Sequence, residues 1–226
     1  MAASSPETIL LAQNVSLKDD PFVQEHQKKF IPYFHGKKLV VDLGCGRGRF
    51  LRLLSENHIP NLGVEMNRQL IQICKKQGFK VQQSNIISFL KNRRPKSVEG
   101  FFMSHLIEHF QTQDAVKVFR GMAKALKPGG VIVMVTPNCR CLGVISEAFW
   151  EDPTHIRPYP ANLLSIFAQE SGLRVVSKGE TDMDTSNSFL KNFARRIIRS
   201  LYRGFRRILV GNFFRPYDLF MVFQKQ

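Results

Sequence analysis

Residues Leu39–Phe50, LVVDLGCGRGRF, limit what this chain can fold into more than any other stretch. Leu39, Val40 and Val41 read as a buried strand that ends in Asp42. Glycines follow at 44, 46 and 48, and Phe50, Leu51, Leu53 and Leu54 then open a helical apolar pattern. A strand that feeds a helix through a glycine-rich turn lets backbone approach a ligand closely, with helix-start N–H groups facing an anionic moiety. Two common versions of this turn are excluded. The dinucleotide fingerprint G-x-G-x-x-G needs glycine at 49, where Arg49 stands, and no G-x-x-x-x-G-K-S/T phosphate loop is present. What remains is D-x-G-x-G-x-G.

The rest of the chain alternates strands and helices. Pro60–Glu65 reads as a second strand that ends, like the first, in an acid. An acid there holds ribose hydroxyls in folds of this kind. Gln69–Lys76 is expected as a helix, Lys80–Gln83 as a third strand ending at Ser84-Asn85-Ile86, and Glu99–Ser104 as a fourth. Ala115–Leu126 is amphipathic and is stopped by Lys127-Pro128-Gly129-Gly130, before a fifth strand over Val131–Val135. A long proline-punctuated stretch from Thr136 to Pro160 contains Trp150, Asp152, His155, Arg157 and Tyr159, and loops of that length are usually functional. A helix over Ala161–Ser171 and strands over Arg174–Gly179 and Asp218–Gln224 complete the pattern. The alternation predicts an α/β fold: a Rossmann-like seven-stranded sheet with helices on both faces and ligand sites at strand carboxyl ends.

One domain suffices for 226 residues. It divides into a lead and cap helix (1–35), a core (36–182), a basic helical insertion (183–216) and a last strand (217–226). Cys45, Cys74, Cys139 and Cys141 show no paired zinc spacing and no secreted disulfide framework, which points to reduced thiols in the cytoplasm. No signal peptide is legible, and no run of eighteen apolar residues could span a membrane.

The motif D-x-G-x-G-x-G resembles the first motif of class I S-adenosylmethionine-dependent methyltransferases, and LKPGG before a strand is another frequent feature of that class. The resemblance implies S-adenosylmethionine as cofactor. Asp42, Gly44, Cys45, Gly46 and Gly48 would surround its methionine half, and Glu65 would hold the ribose, with Met66 beside it. Asn85 and Ile86 would meet the adenine amine and ring, and Ser104 would close the pocket. From about His35 to Leu173, VDLGCGRGRFL, GVE, SHLIEH, LKPGG, TPN and DPTHxRP are similar to bacterial methyltransferases of surface-polysaccharide and O-antigen gene clusters. That likeness implies methylation of a sugar hydroxyl, with Asp152, His155, Arg157 and Tyr159 on the acceptor side.

Methyl transfer to an alcohol needs a base, and histidine is the side chain suited to that near neutral pH. His105, His109 and His155 all fall at predicted strand ends. His155 and His105 are the candidate catalytic residues. The sequence H-L-I-E-H also resembles the E-x-x-E-H motif of ubiquinone-biosynthesis O-methyltransferases and small-RNA 2′-O-methyltransferases. That likeness implies a divalent metal held by His105, Glu108, His109 and His155, although His105 stands where the motif has its first glutamate. The same Glu and His could instead cap the following helix, with no metal bound.

The net charge of +15 is uneven: residues 185–226 hold nine Lys/Arg against Asp218, a balance of +8. Phe189, Leu190, Phe193, Ile197, Ile198 and Leu201 recur at three and four, with arginines between, as in a basic amphipathic helix. Such a helix could pack on its own domain, lie on an anionic membrane, or track nucleic-acid phosphates. The membrane reading suits a lipid-linked glycan acceptor and a peripheral position at the inner face of the cell membrane, and it is compatible with packing of another face on the domain. The stretch lacks interleaved stacking aromatics, which disfavours nucleic acid.

Overall fold

The computed structural model describes residues 26–181 and 216–226. Seven strands form one sheet in the order β3-β2-β1-β4-β5-β7-β6. They are β1 (Val40–Leu43), β2 (Asn61–Glu65), β3 (Val81–Gln83), β4 (Val98–Ser104), β5 (Leu126–Pro137), β6 (Leu173–Thr181) and β7 (Asp218–Lys225). Strands β1 to β5 run parallel, and β7 is antiparallel to both β5 and β6. The helices are α1 (Arg49–Glu56), α2 (Arg68–Lys76), α3 (Ile86–Asn92), α4 (Thr112–Ala125) and α5 (Ala161–Glu170). The expected seven-stranded Rossmann-like architecture is what forms.

The two cores follow directly from strand periodicity. Successive side chains of a strand point to opposite faces. Val41, Phe101, Met103, Ile132 and Met134 therefore meet α3, α4 and α5 in one core. Val40, Phe102, Val131, Val133 and Val135 join Phe50, Leu53 and Leu54 of α1 and the short 3-10 turn Ile31–Phe34 in the other. Phe50 stacks on Phe102 with ring centroids 3.5 Å apart. Strands buried on both faces read as continuous apolar runs, which is why VVDL and GFFM lack alternation.

Several boundaries differ from expectation. Helix α3, absent from the sequence reading, starts immediately after Asn85, whose Oδ1 accepts the Ser88 N–H at 2.8 Å as an N-cap. Strand β5 extends back through Lys127-Pro128-Gly129-Gly130, because Leu126 pairs with Val98 beyond the glycines. The Thr136–Pro160 stretch contains a five-residue π-helical turn, Val144–Ala148, seated by buried Cys141, Val144 and Phe149. The cap helix is described only from His26 onward, and the basic insertion, apart from Pro216, lies outside the described residues. Among the described residues, no helix is long and apolar enough to cross a membrane.

Candidate active site

The glycine turn closes onto the neighbouring strand. The N–H groups of Gly44 and Cys45 both donate to the Val64 carbonyl, at 2.9 and 3.1 Å. Glu65, at the end of β2, binds the turn from the other side. Its Oε2 accepts the Gly46 N–H at 3.0 Å, and its Oε1 accepts those of Met66 and Asn67 at 2.8 and 2.9 Å. The Cys45 thiol is buried against Cys74, which donates to the Gly46 carbonyl at 3.2 Å. Cys45 therefore offers the site its backbone and not its sulfur. Gly46 has φ +53, and a Cβ built on it would meet no atom within 4 Å. The turn thus borders open space beside an acid, a cradle that fits an adenosyl donor.

Substitution at that glycine separates ligand space from protein packing. Gly46→Ala is expected to cost about 1–2 kcal/mol of stability for a left-handed Cβ. Because the methyl group enters the cradle, affinity for S-adenosylhomocysteine should fall by about tenfold or more, some 1.4 kcal/mol, in calorimetric titration. Unchanged affinity would remove Gly46 from the donor site.

Asp42 is 3% exposed, and burial, reinforced by the Glu65 carboxylate, pushes its carboxyl up to about 8. Met66 is 66% exposed just beyond Glu65. Asn85 spends one lone pair of its carbonyl oxygen on the α3 cap, and Ile86 packs into the core at 7% exposure. Ser104 closes β4 beside Val135.

The second half of the site follows β4. Leu43 of β1 is in register with Met103, and Leu106 lies 3.2 Å from where a Cβ on Gly44 would sit. The turn after β4 therefore abuts the donor loop. His105 takes the left-handed conformation, φ 49, a strained placement of the kind found at functional sites. Its Nδ1 lies 3.5 Å from Glu108 Oε1 and its Nε2 lies 3.4 Å from Asp218 Oδ1. Burial opposes an imidazolium there, but the Asp218 and Glu108 carboxylates outweigh it and hold the His105 pKa well above the ordinary histidine value. The imidazolium form of His105 is thereby favoured, which makes it a counter-ion to two carboxylates more than a resting base.

His109 and His155 are fixed differently. The Nδ1–H of His155 donates to the Phe149 carbonyl at 2.7 Å, and that of His109 faces the Thr154 carbonyl at 3.2 Å and the Thr154 hydroxyl at 2.9 Å. Asp152 Oδ1 in turn accepts the Thr154 hydroxyl at 2.7 Å. With both Nδ1 protons committed to carbonyls, each Nε2 keeps its lone pair. His155 Nε2 points between Glu108 Oε1, at 3.9 Å, and Asp152 Oδ2, at 3.7 Å. Glu108 is fully buried; its Oε2 accepts the Thr136 hydroxyl at 3.0 Å, and its Oε1 has no hydrogen-bond partner. One donor atom from each of Glu108, His109 and His155 lies within 4.8 Å of the other two.

Three sequence assignments change here. Tyr159 is fully buried and its hydroxyl donates to the Phe110 carbonyl at 2.8 Å, so it is a core residue and cannot line the acceptor side. Arg157 lies over the Tyr159 ring and donates to Thr112 Oγ1 at 2.6 Å, which ties the loop to α4. His105 lies outside the convergent set of Glu108, His109 and His155 because its two ring nitrogens are taken up between Glu108 and Asp218. The sequence reading missed Thr136, Thr154 and Asp218 as partners. Asp218 had a detectable signal, since the first residue of an antiparallel last strand must lie at the carboxyl edge of its parallel neighbours.

Residues 20–178 match the model of a family described as "Methyltransferase domain". The chain belongs to that family. A solved S-adenosylmethionine-dependent methyltransferase from Archaeoglobus fulgidus superposes with a TM-score of 0.78 at 26% identity, covering 96% of this chain and 99% of that one. The ubiquinone biosynthesis O-methyltransferase of Idiomarina loihiensis is 31% identical over 108 residues, 46% of this chain and 43% of that protein. The probable tRNA methyltransferase 9B of Mus musculus is 28% identical over 97 residues, 42% of this chain and 21% of that protein. The chain thus spans less than half the length of either curated relative. It carries an S-adenosylmethionine-dependent methyltransferase domain, with the glycine turn and the histidine–carboxylate cluster both at the carboxyl edge of the sheet.

Proposed function

We propose that this methyltransferase transfers the donor methyl group to a hydroxyl oxygen, and that the acceptor is a sugar of a surface glycan or of its lipid-linked precursor. The observation that carries the O-methylation is the Nε2 of His155, oriented by the Phe149 carbonyl and placed between the buried Glu108 carboxylate and the partly exposed Asp152. In-line displacement forms the O–CH3 bond as the C–S bond breaks, with its electron pair passing to sulfur. The hydroxyl proton goes to His155 Nε2, and the imidazolium so formed is stabilised by Glu108 and Asp152. On the donor side, Gly46 supplies the close backbone approach, Gly44 and Gly48 make room for the Leu106 and Phe79 side chains that shape the turn, and Glu65 accepts from the ribose.

A specific observation supports a second cofactor. The buried Glu108 Oε1, which makes no hydrogen bond and lies 3.5 Å from His105 Nδ1, together with two imidazoles whose Nδ1 atoms face carbonyls, fits the first and outer shells of a divalent metal site. Glu108, His109 and His155 would hold the ion, which when bound lowers the pKa of a coordinated hydroxyl. His155 then serves as a ligand in place of a base. The basic segment before β7 is proposed to rest on an anionic membrane surface, which would bring the domain to a lipid-linked acceptor.

Transfer of labelled methyl from S-adenosylmethionine into a fractionated cell lysate tests the reading. Label in polysaccharide or glycolipid is the expected result; label in RNA, or in a quinone-type small molecule, refutes the glycan acceptor. Loss of transfer on chelation, restored by a divalent ion, selects the metal reading. Full transfer in chelator selects His155 as base.

A further inference from the structure

The rim of the histidine–carboxylate cluster carries a side chain that the chemistry above does not use. Trp150 is the only tryptophan in the chain, and it is 60% exposed. Its ring is nevertheless held. The indole Nε1–H donates to the Ile145 carbonyl at 2.7 Å, and the ring packs edge-on to Phe149 with centroids 5.1 Å apart and planes at 81°. Phe149 is buried and lies against the His155 imidazole at 4.6 Å and 32°, while its carbonyl fixes His155 Nδ1. An open indole face is thereby tied through one residue to the orientation of His155. Ile156, on the other side of that histidine, is 41% exposed. Leaving so large an apolar surface in water, rigidly presented, gives up the burial that would otherwise stabilise the fold.

The charge around this face decides what it suits. Residues 144–157 contain Glu147, Glu151 and Asp152 against Arg157 alone, a balance of −2 within a chain of +15. The Arg157 guanidinium is turned to Thr112, and Glu108 and Asp218 add two carboxylates against the single charge of the His105 between them, which leaves the face net negative. A phosphodiester or other polyanion would meet like charge here. A neutral polyhydroxylated ring would not: its C–H face covers an aromatic ring, and its hydroxyls donate to ionised carboxylates.

We propose that Trp150 is the platform on which a pyranose ring of the acceptor stacks, a specificity-determining residue that presents one sugar hydroxyl to His155. The proposal rests on the O-methyltransferase reading of the cluster. Because the chain has a single tryptophan, its own emission reports on the platform. The full-length protein, saturated with S-adenosylhomocysteine, is titrated with methyl pyranosides of the gluco, galacto, manno and rhamno series. Emission and saturation-transfer NMR to the sugar C–H protons are recorded together. The expected result is a saturable emission change and saturation transfer for at least one glycoside. Trp150→Ala should abolish the transfer and Trp150→Phe should retain it, with S-adenosylhomocysteine affinity unchanged in both. The platform is overturned if no glycoside gives a saturable response while the homocysteine product binds, if only an oligouridylate responds, or if Trp150→Ala leaves saturation transfer intact. Failure of the protein to bind S-adenosylhomocysteine would instead overturn the methyltransferase reading beneath it.

Discussion

Replacing Glu108 by glutamine is expected to reduce methyl transfer about 10²–10⁴-fold while leaving donor affinity unchanged. The amide keeps the volume of the carboxylate and still accepts from the Thr136 hydroxyl, which bonds Glu108 Oε2 at 3.0 Å. What changes is the atom aimed at the histidines. In place of Oε1, 3.9 Å from His155 Nε2, the variant turns N–H donors towards nitrogens and towards any bound cation. An imidazolium formed at His155 loses the buried one of its two counter-charges, Asp152 remaining at 3.7 Å, and a metal would lose its only buried oxygen ligand. Single-turnover rates and calorimetric titration with S-adenosylhomocysteine separate the two effects. A loss of only a few-fold in rate would displace the reacting centre from this cluster.

Asp42→Asn is expected to change how stability and donor binding depend on pH. Burial and the Glu65 carboxylate raise the Asp42 carboxyl from 3.8 to about 8. A folded-state value above the unfolded one means that the native protein holds this proton more tightly. The associated stability is full below pH 4 and is lost as the pH rises through 8. Four units at about 1.36 kcal/mol each come to about 5 kcal/mol. Thermal unfolding of the wild type should therefore weaken from pH 5 to pH 9, and the asparagine variant should be flatter and more stable at the alkaline end. Donor binding has the opposite sign. The cationic sulfonium and ammonium groups of S-adenosylmethionine favour the carboxylate, so binding expels the proton. Affinity should climb between pH 6 and pH 7.5, by at most about tenfold per unit, and not climb in the variant. Equal pH profiles for the two proteins would place Asp42 outside the donor's electrostatic reach.

Much of the fold could be read from local pattern. Strands β1, β2 and β4 announce themselves as short apolar runs closed by Asp42, Glu65 and Ser104, with β1 running one residue further to Leu43, because strands covered on both faces have no polar side to show. The start of α3 was hidden, since Ser84-Asn85-Ile86 reads equally as a strand end or as a helix cap, and the cap hydrogen bond from Ser88 exists only once the backbone turns. The extension of β5 through Gly129-Gly130 was hidden for a related reason. Glycines signal a break locally, and only pairing of Leu126 with Val98 overrules them.

For the site, the pattern showed a glycine turn after Asp42 and an acid, Glu65, ending the second strand, and the resemblance to class I methyltransferases implied their donor roles; the turn is legible because it is contiguous in sequence and its geometry is local. Pattern and resemblance also singled out His105, Glu108, His109 and His155, though not their division of labour. That division depends on distances between segments more than a hundred residues apart in one case and more than forty in the other. Asp218 reaches across from β7 and favours the imidazolium form of His105, while Thr154 and Phe149 fix the tautomers that leave His109 and His155 open. Tyr159 was misassigned on the same grounds, since a tyrosine in a polar loop gives no sign that its ring will be swallowed by α4 and α5. The sequence by itself determined the fold class and the donor loop, whose hydrogen bonds are local or between adjacent strands. Only the tertiary structure decided how the histidines divide, because a ring's role depends on the partners that folding brings within about 4 Å: carboxylates at His105, backbone carbonyls at the Nδ1 atoms of His109 and His155.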